Sequence, residues 1–211
     1  MIIMNAKDFI DKLNDLHLGI FTDIDVLKLL NNSKGYCNLY LYRLVKRGYI
    51  LRIKKGLYAL KGSNKFEIAG SMMMNSYVTS LAALFYQGLI NQDPNFIEVA
   101  NIKYSKTERI ENDFGIIFIR FRKLPQNAFF GYYKTNGNTS TFFIAEPEKA
   151  VIDMLFLHKD HLLSYVEDVI RENKVNINKV LKYAKISGKI SVYREVIKII
   201  EKYKIIIKQE D

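Results

Sequence analysis

The chain has 211 residues, 49% of them apolar and 26% charged, with only 3 Pro; this excludes a disordered or fibrous protein and leaves room for one large domain or two small ones. Net charge is +10, and the single cysteine, Cys37, excludes an intramolecular disulfide framework and suits a reducing cytoplasmic setting. No apolar run approaches the roughly 18–20 residues that span a bilayer, and the opening residues lack a signal peptide's basic start and long apolar segment, so neither membrane nor export is expected.

Residues 5–16 carry Ala6, Phe9, Ile10, Leu13 and Leu16 at i, i+3, i+4 spacing, which predicts an amphipathic helix ended by Gly19. Ile20 and Phe21 predict a short strand. Thr22 or Asp23 then caps a second helix whose buried side is Ile24, Leu27, Leu29 and Leu30. Residues 31–35 are turn chemistry, a third helix covers 36–47, and Gly48 fits its C-terminal cap. Residues 50–53 and 57–60 are strand-like runs joined by Lys54-Lys55-Gly56. Helix, helix, turn, helix and basic-tipped hairpin is the order of a winged helix-turn-helix domain, assigned to residues 1–62.

Residues 63–211 predict a mixed α/β domain that ends in a helical segment, so the fold class is α+β. Its elements are a helix at 66–75, an extended piece at 77–79, a helix at 80–86 stopped near Gly88, and strands at 96–102, 116–121, 128–134 and 141–144. Asn136-Gly137-Asn138 is a hairpin turn between the last two strands. Pro147 opens a helix beside Glu146 and Glu148. Three more helices follow at 160–173, 176–186 and 191–203.

Charge singles out the first third. Residues 1–62 hold eleven Lys/Arg against five Asp/Glu, and residues 34–61 hold eight basic residues and no acid. At 100° per residue, Cys37, Leu41, Leu44 and Val45 share one side of the third helix, with Tyr40 at its edge. Asn38, Leu39, Tyr42, Arg43 and Lys46 fall opposite. That face offers an amide suited to adenine, a guanidinium suited to guanine and an ammonium for phosphate. Arg52, Lys54 and Lys55 lie on the hairpin, where phosphate or minor-groove contact is natural. Arg47 sits at the helix edge and Lys34 flanks the unit. Tyr36 and Tyr42 read equally as contacts to a nucleic-acid backbone, whereas Tyr40, Tyr49 and Tyr58 read as core or edge. The expected partner is double-stranded DNA; the competing reading is a solvated basic face on a module for protein contact.

No catalytic, metal or cofactor site is assigned. His158-Lys159-Asp160-His161 has two histidines three apart but reads as a helix end followed by a new N-cap at Asp160. Glu146, Glu148 and Lys149 invite comparison with Mg²⁺-dependent nucleases, yet their spacing departs from the strand-borne Glu-x-Lys pattern. Cys37 falls on the core face. The aromatic run 129–133, opposite Phe142 and Phe143, reads as sheet core on alternating positions, with one side of that hairpin open to a partner.

Residues 21–60 resemble the N-terminal winged helix of the abortive-infection E antitoxins of type IV toxin–antitoxin systems, through Leu41-Tyr42-Arg43-Leu44-Val45-Lys46-Arg47-Gly48-Tyr49-Ile50 and Arg52-Ile53-Lys54-Lys55-Gly56-Leu57-Tyr58-Ala59-Leu60. Residues 77–90 are similar to the family's strand–helix–glycine segment, and residues 145–153 to its proline–glutamate helix start. The resemblance implies a two-domain antitoxin-like regulator that binds operator DNA, represses its operon and counteracts a toxin of nucleotidyltransferase fold.

Overall fold

A computed structural model describes residues 4–112, 115–158 and 161–205, with the side chains of Asn112 and His158 outside that description. It is an α+β fold that divides into two compact units. The first is Met1–Met74, Arg109–Phe118 and Lys134–Phe142; the second is Asn75–Glu108, Ile119–Tyr133 and Phe143–Asp211. Residues 1–62 thus lie wholly in the first unit, which also takes in three later segments. No helix among the described residues is long and apolar enough to cross a membrane.

The first unit begins with α1 (Ala6–Asp15), capped by the Asn5 side chain, which accepts the Asp8 N–H at 2.9 Å. Phe9 and Leu13 bury its apolar stripe. The helix ends without Gly19: its C-cap is Leu16, and His17 takes the left-handed turn at φ 49°. Gly19 is instead a place of close approach. Its N–H donates to the Thr139 carbonyl at 3.1 Å, and a Cβ there would lie 2.0 Å from Thr139 Oγ1. The chain continues as β1 (Ile20–Thr22) into α2 (Asp23–Leu30). Thr22 Oγ1 accepts the Asp25 N–H while the Asp25 carboxylate accepts the Thr22 N–H, a reciprocal cap. Val26 takes the inward position of this short helix; Ile24, two residues and so about 200° away, is 58% exposed, contrary to its expected burial.

Next come α3 (Lys34–Lys46), capped by Ser33, and the hairpin of β2 (Ile50–Lys54) and β3 (Leu57–Leu60). Gly48 at φ 69° and Gly56 at φ 76° make the two turns that L-residues adopt at a cost. The three strands pair antiparallel in the order β1-β3-β2, with a register break between Arg52 and Lys54. One core gathers Phe9, Phe21, Val26, Leu41, Leu44 and Ile50. Burying each such side chain contributes about 1.5–3 kcal/mol, enough together to hold three short helices on a small sheet.

α4 (Lys65–Ser71) is capped by Asn64 and Glu67. Glu67 is fully buried because its carboxylate accepts the N–H groups of Asn64 (2.5 Å), Thr139 (3.1 Å) and Ser140 (2.9 Å). Ser63 Oγ lies 2.7 Å from Thr139 Oγ1, and Asn138 Nδ2 donates to the Gly62 carbonyl at 2.9 Å. Residues 137–140 are therefore pinned to the base of the segment that precedes α4.

The remaining strands are β4 (Ser76–Thr79), β5 (Ile97–Asn101), β6 (Lys106–Asn112), β7 (Gly115–Lys123), β8 (Tyr132–Asn136) and β9 (Thr141–Ala145), in the sheet order β6-β7-β5-β4-β9-β8. In the second unit β4 pairs antiparallel with β5 and parallel with β9, and β5 pairs parallel with β7. Every residue of β4 and β5 is buried, the mark of a sheet covered on both faces. β6 was not anticipated. β8 starts at Tyr132 rather than at residue 128, because Gly131 at φ 68° breaks the extended run; a Cβ there would sit 3.0 Å from the Tyr183 ring. α5 (Ser80–Tyr86), α6 (Pro147–His158), α7 (Leu163–Arg171), α8 (Ile177–Ile186) and α9 (Ile190–Tyr203) are the helices. α6 packs on α5, α7, α8 and α9. The expected cap at Asp160 lies outside the described residues.

Candidate nucleic-acid interface

α3 is two-sided, as its sequence pattern requires. Cys37, Leu41 and Leu44 are buried; Lys34, Asn38, Leu39, Tyr42, Arg43, Lys46 and Arg47 are exposed. On the hairpin the alternation leaves Arg52, Lys54 and Lys55 exposed between buried Leu51, Ile53 and Leu57. The register break places an extra residue beside Lys54, which bends the strand and re-aims its tip.

These groups do not all line one hollow. Lys34, Asn38 and Tyr42 of the helix meet Arg52 and Lys55 of the hairpin around a notch of about 340 Å³. Leu39, Arg43, Lys46 and Lys54 lie outside its lining, and Arg47 lines a different hollow together with Tyr49 and Lys61. Tyr36 is half-buried and stacks on Tyr40, 6.2 Å between centroids. Tyr40 packs edge-on against Phe9 and donates to the Asn5 carbonyl at 3.1 Å. Burial first, then the nearby Tyr36 and Asp8, pushes its phenol up to about 12. Tyr40 therefore belongs to the core edge, as does Tyr58 against Phe21, whereas Tyr49 is 44% exposed. Cys37 is buried, and burial raises its thiol. A protonated, enclosed thiol is a poor nucleophile.

Asp23 also lines the notch. The stretch 34–61 is free of acid in sequence, but folding brings in the Asp23 carboxylate at the start of α2, and the Asp23 backbone N–H donates to the Gly56 carbonyl at 3.2 Å. Sequence reasoning saw Asp23 only as a capping candidate; the hairpin order, which brings its turn back past the start of α2, was the available signal.

The second unit holds a polar cluster that sequence reasoning missed. Lys149 and Asp153 are both fully buried and ion-paired one turn apart on α6. Asp153 also accepts from Tyr77 (3.1 Å) and Thr79 (2.6 Å) of β4, and the Lys149 ammonium lies 5.0 Å from the Phe130 ring centroid. Burial first, then the Asp153 charge, drives the Tyr77 phenol well above its ordinary value. The signal was a Lys and an Asp four apart on a helix otherwise lined by Ala150, Val151, Ile152, Met154 and Leu155. Glu146 and Glu148 turn elsewhere, to Lys179 at 3.2 and 3.3 Å, and Glu148 also accepts the Asn176 N–H. Glu146 accepts from Tyr183 as well. The three residues compared with a nuclease site thus serve two separate structural pairings. Of the histidine cluster, His161 is exposed; Lys159, Asp160 and the His158 side chain lie outside the described residues.

Residues 8–61 match the family described as transcriptional regulator, AbiEi antitoxin. The match covers the three-helix and hairpin segment and bears out the resemblance read over residues 21–60; it does not extend to residues 77–90 or 145–153. No curated protein matches the chain.

Proposed function

We propose that residues 1–62 work as a winged helix-turn-helix on operator DNA, and that the chain is a non-enzymatic, sequence-specific regulator of the antitoxin kind that represses its own operon in the cytoplasm. The supporting observation is the two-sided α3, with Asn38, Tyr42 and Arg43 exposed opposite a fully buried stripe and beside a cationic hairpin. On this reading Asn38 and Arg43 read bases in the major groove. Lys34, Tyr36, Leu39, Tyr42, Lys46 and Arg47 supply phosphate and surface contacts along the helix. Arg52, Lys54 and Lys55 hold the backbone without reading it. Residues 63–211 carry the antitoxin role, directed at a toxin of nucleotidyltransferase fold.

Gel-shift titration of the full chain on its own upstream DNA, over a range of salt, tests the docking. Arg43→Ala should cost about 1–3 kcal/mol of specific binding and relax base preference, while Lys54→Ala and Lys55→Ala should weaken all sequences alike and each lower the salt slope by about one. If wild-type protein gave no shift at low salt, operator docking would be wrong. Co-purification of the full chain with the product of the adjacent gene tests the toxin partner separately.

A further inference from the structure

The second unit contains a cavity of about 410 Å³ between the start of α7, the 92–96 loop and the β5–β7 ladder. Its size falls within the range of small-molecule sites. A charged cluster lies on its wall. Glu98 faces Arg120 across the β5–β7 register, and Arg122 lies two residues further along the same strand. Arg122 Nε takes the Glu98 carboxylate at 3.1 Å; Arg120 reaches the same oxygen only at 3.9 Å. Two guanidiniums share one buried carboxylate; Arg120 lines the cavity together with Glu98, and Arg122 holds Glu98 from outside the lining. It lies flat over Phe96, with 3.7 Å from guanidinium carbon to ring centroid, so its face is organised while further N–H donors remain for a ligand.

The rest of the lining complements that charge. Leu81, Phe96 and Leu162 form an apolar wall, and the exposed Gln92, Asn95 and His161 put amides and an imidazole at the rim. Leu162 is the N-cap of α7 and makes no side-chain cap hydrogen bond, so among the described residues none caps the first N–H groups of the helix from its side chain. A guanidinium whose carboxylate partner is already held by Arg122, an apolar wall for a flat body, and amides that pair with ring edges point to one ligand chemistry. We propose that this cavity binds a nucleoside phosphate, its phosphate on Arg120 and His161 and its base against Leu81 and Leu162 within reach of Gln92 and Asn95.

Calorimetry and thermal unfolding of the full chain with each of the four ribonucleoside monophosphates test this, with inorganic phosphate and the bare nucleosides as separate arms. The expected result is a rise in melting temperature and saturable binding for at least one monophosphate, with phosphate alone and nucleoside alone clearly weaker. Arg120→Gln should weaken binding about tenfold. Because Arg120 also faces Glu98, Asn95→Asp serves as the second variant: it leaves the ladder untouched and should weaken binding by removing an amide donor from the base and adding a negative charge to the cavity that takes an anion. The proposal is overturned if no monophosphate binds at millimolar concentration, if inorganic phosphate binds as tightly as any of them, or if Asn95→Asp and Arg120→Gln both keep wild-type affinity.

Discussion

Replacing Lys149 by Met removes a buried ammonium and leaves the Asp153 carboxylate, among the described residues, with the Tyr77 and Thr79 hydroxyls. Breaking one partner of a buried ion pair costs about 3–5 kcal/mol, because the other charge stays desolvated. In a chain of this size each kcal/mol shifts melting by about 2–4 °C, so Lys149→Met should lower it by roughly 6–20 °C. Asp153→Leu should cost more. It strands the ammonium and also leaves two buried hydroxyls unpaired, at about 1–3 kcal/mol for each. The double variant removes both charges and keeps only the hydroxyl penalty, so it should be less destabilised than Asp153→Leu alone. Urea and thermal unfolding of the four proteins, followed by circular dichroism and closed as a double-mutant cycle, measures the coupling. The reasoning collapses if Lys149→Met lies within about 0.5 kcal/mol of wild type, the scatter of an ordinary surface substitution, or if the cycle shows no coupling.

Ser80 is buried with φ 55°, and its Oγ has no hydrogen-bond partner among the described residues; Ser80→Gly should therefore raise stability by about 1 kcal/mol, and a lower melting temperature would count against it. Glu67→Gln turns an amide NH₂ toward at least one of the N–H groups that the carboxylate now accepts, and should cost about 1.5–3 kcal/mol in urea unfolding. The Lys202 ammonium first, then the Tyr203 hydroxyl, holds Glu167 below the usual carboxylate range. A lowered folded value gives stability that is present above the unfolded value near about 4.3 and is lost as pH falls through the folded one. The small deficit of Lys202→Ala at neutral pH should accordingly close in acid, and a deficit that persists unchanged there would show that this pairing is not its origin.

Much of the first unit was legible because its signals are local. The helix start at Thr22, the glycines at 48 and 56, and the 3.6-residue stripe of Cys37, Leu41 and Leu44 each need only a few neighbours to be read. What escaped depends on contacts between residues far apart. Gly19 read as a helix stop because nothing near it in sequence reveals Thr139. β6 was hidden by Lys106, Glu108, Arg109 and Glu111, which pair with one another along the strand (Lys106 with Glu108 at 3.2 Å, Arg109 with Glu111 at 2.6 Å) and mask its alternation. At the candidate interface the exposed cations were readable from helical phase. Their grouping around the notch, and the intrusion of Asp23, follow from the return of the hairpin past α2, which periodicity does not encode. The cavity beside Arg120 needed two parallel strands in register, and no run of residues announces that.

The anchorage of residues 137–140 bears on how such chains can be inherited and recombined. The family match ends at residue 61, yet Gly19, Gly62 and Ser63 each bond to a loop contributed much later in the chain. A crossover at residue 62 that exchanged only the head would bring a new occupant of position 19 against Thr139, where even one methyl group has no room. Head and loop must travel, or change, together. A portable version of this head is therefore a discontinuous piece of sequence, and a graft of its first sixty residues onto another body would first have to be given a substitute for Thr139.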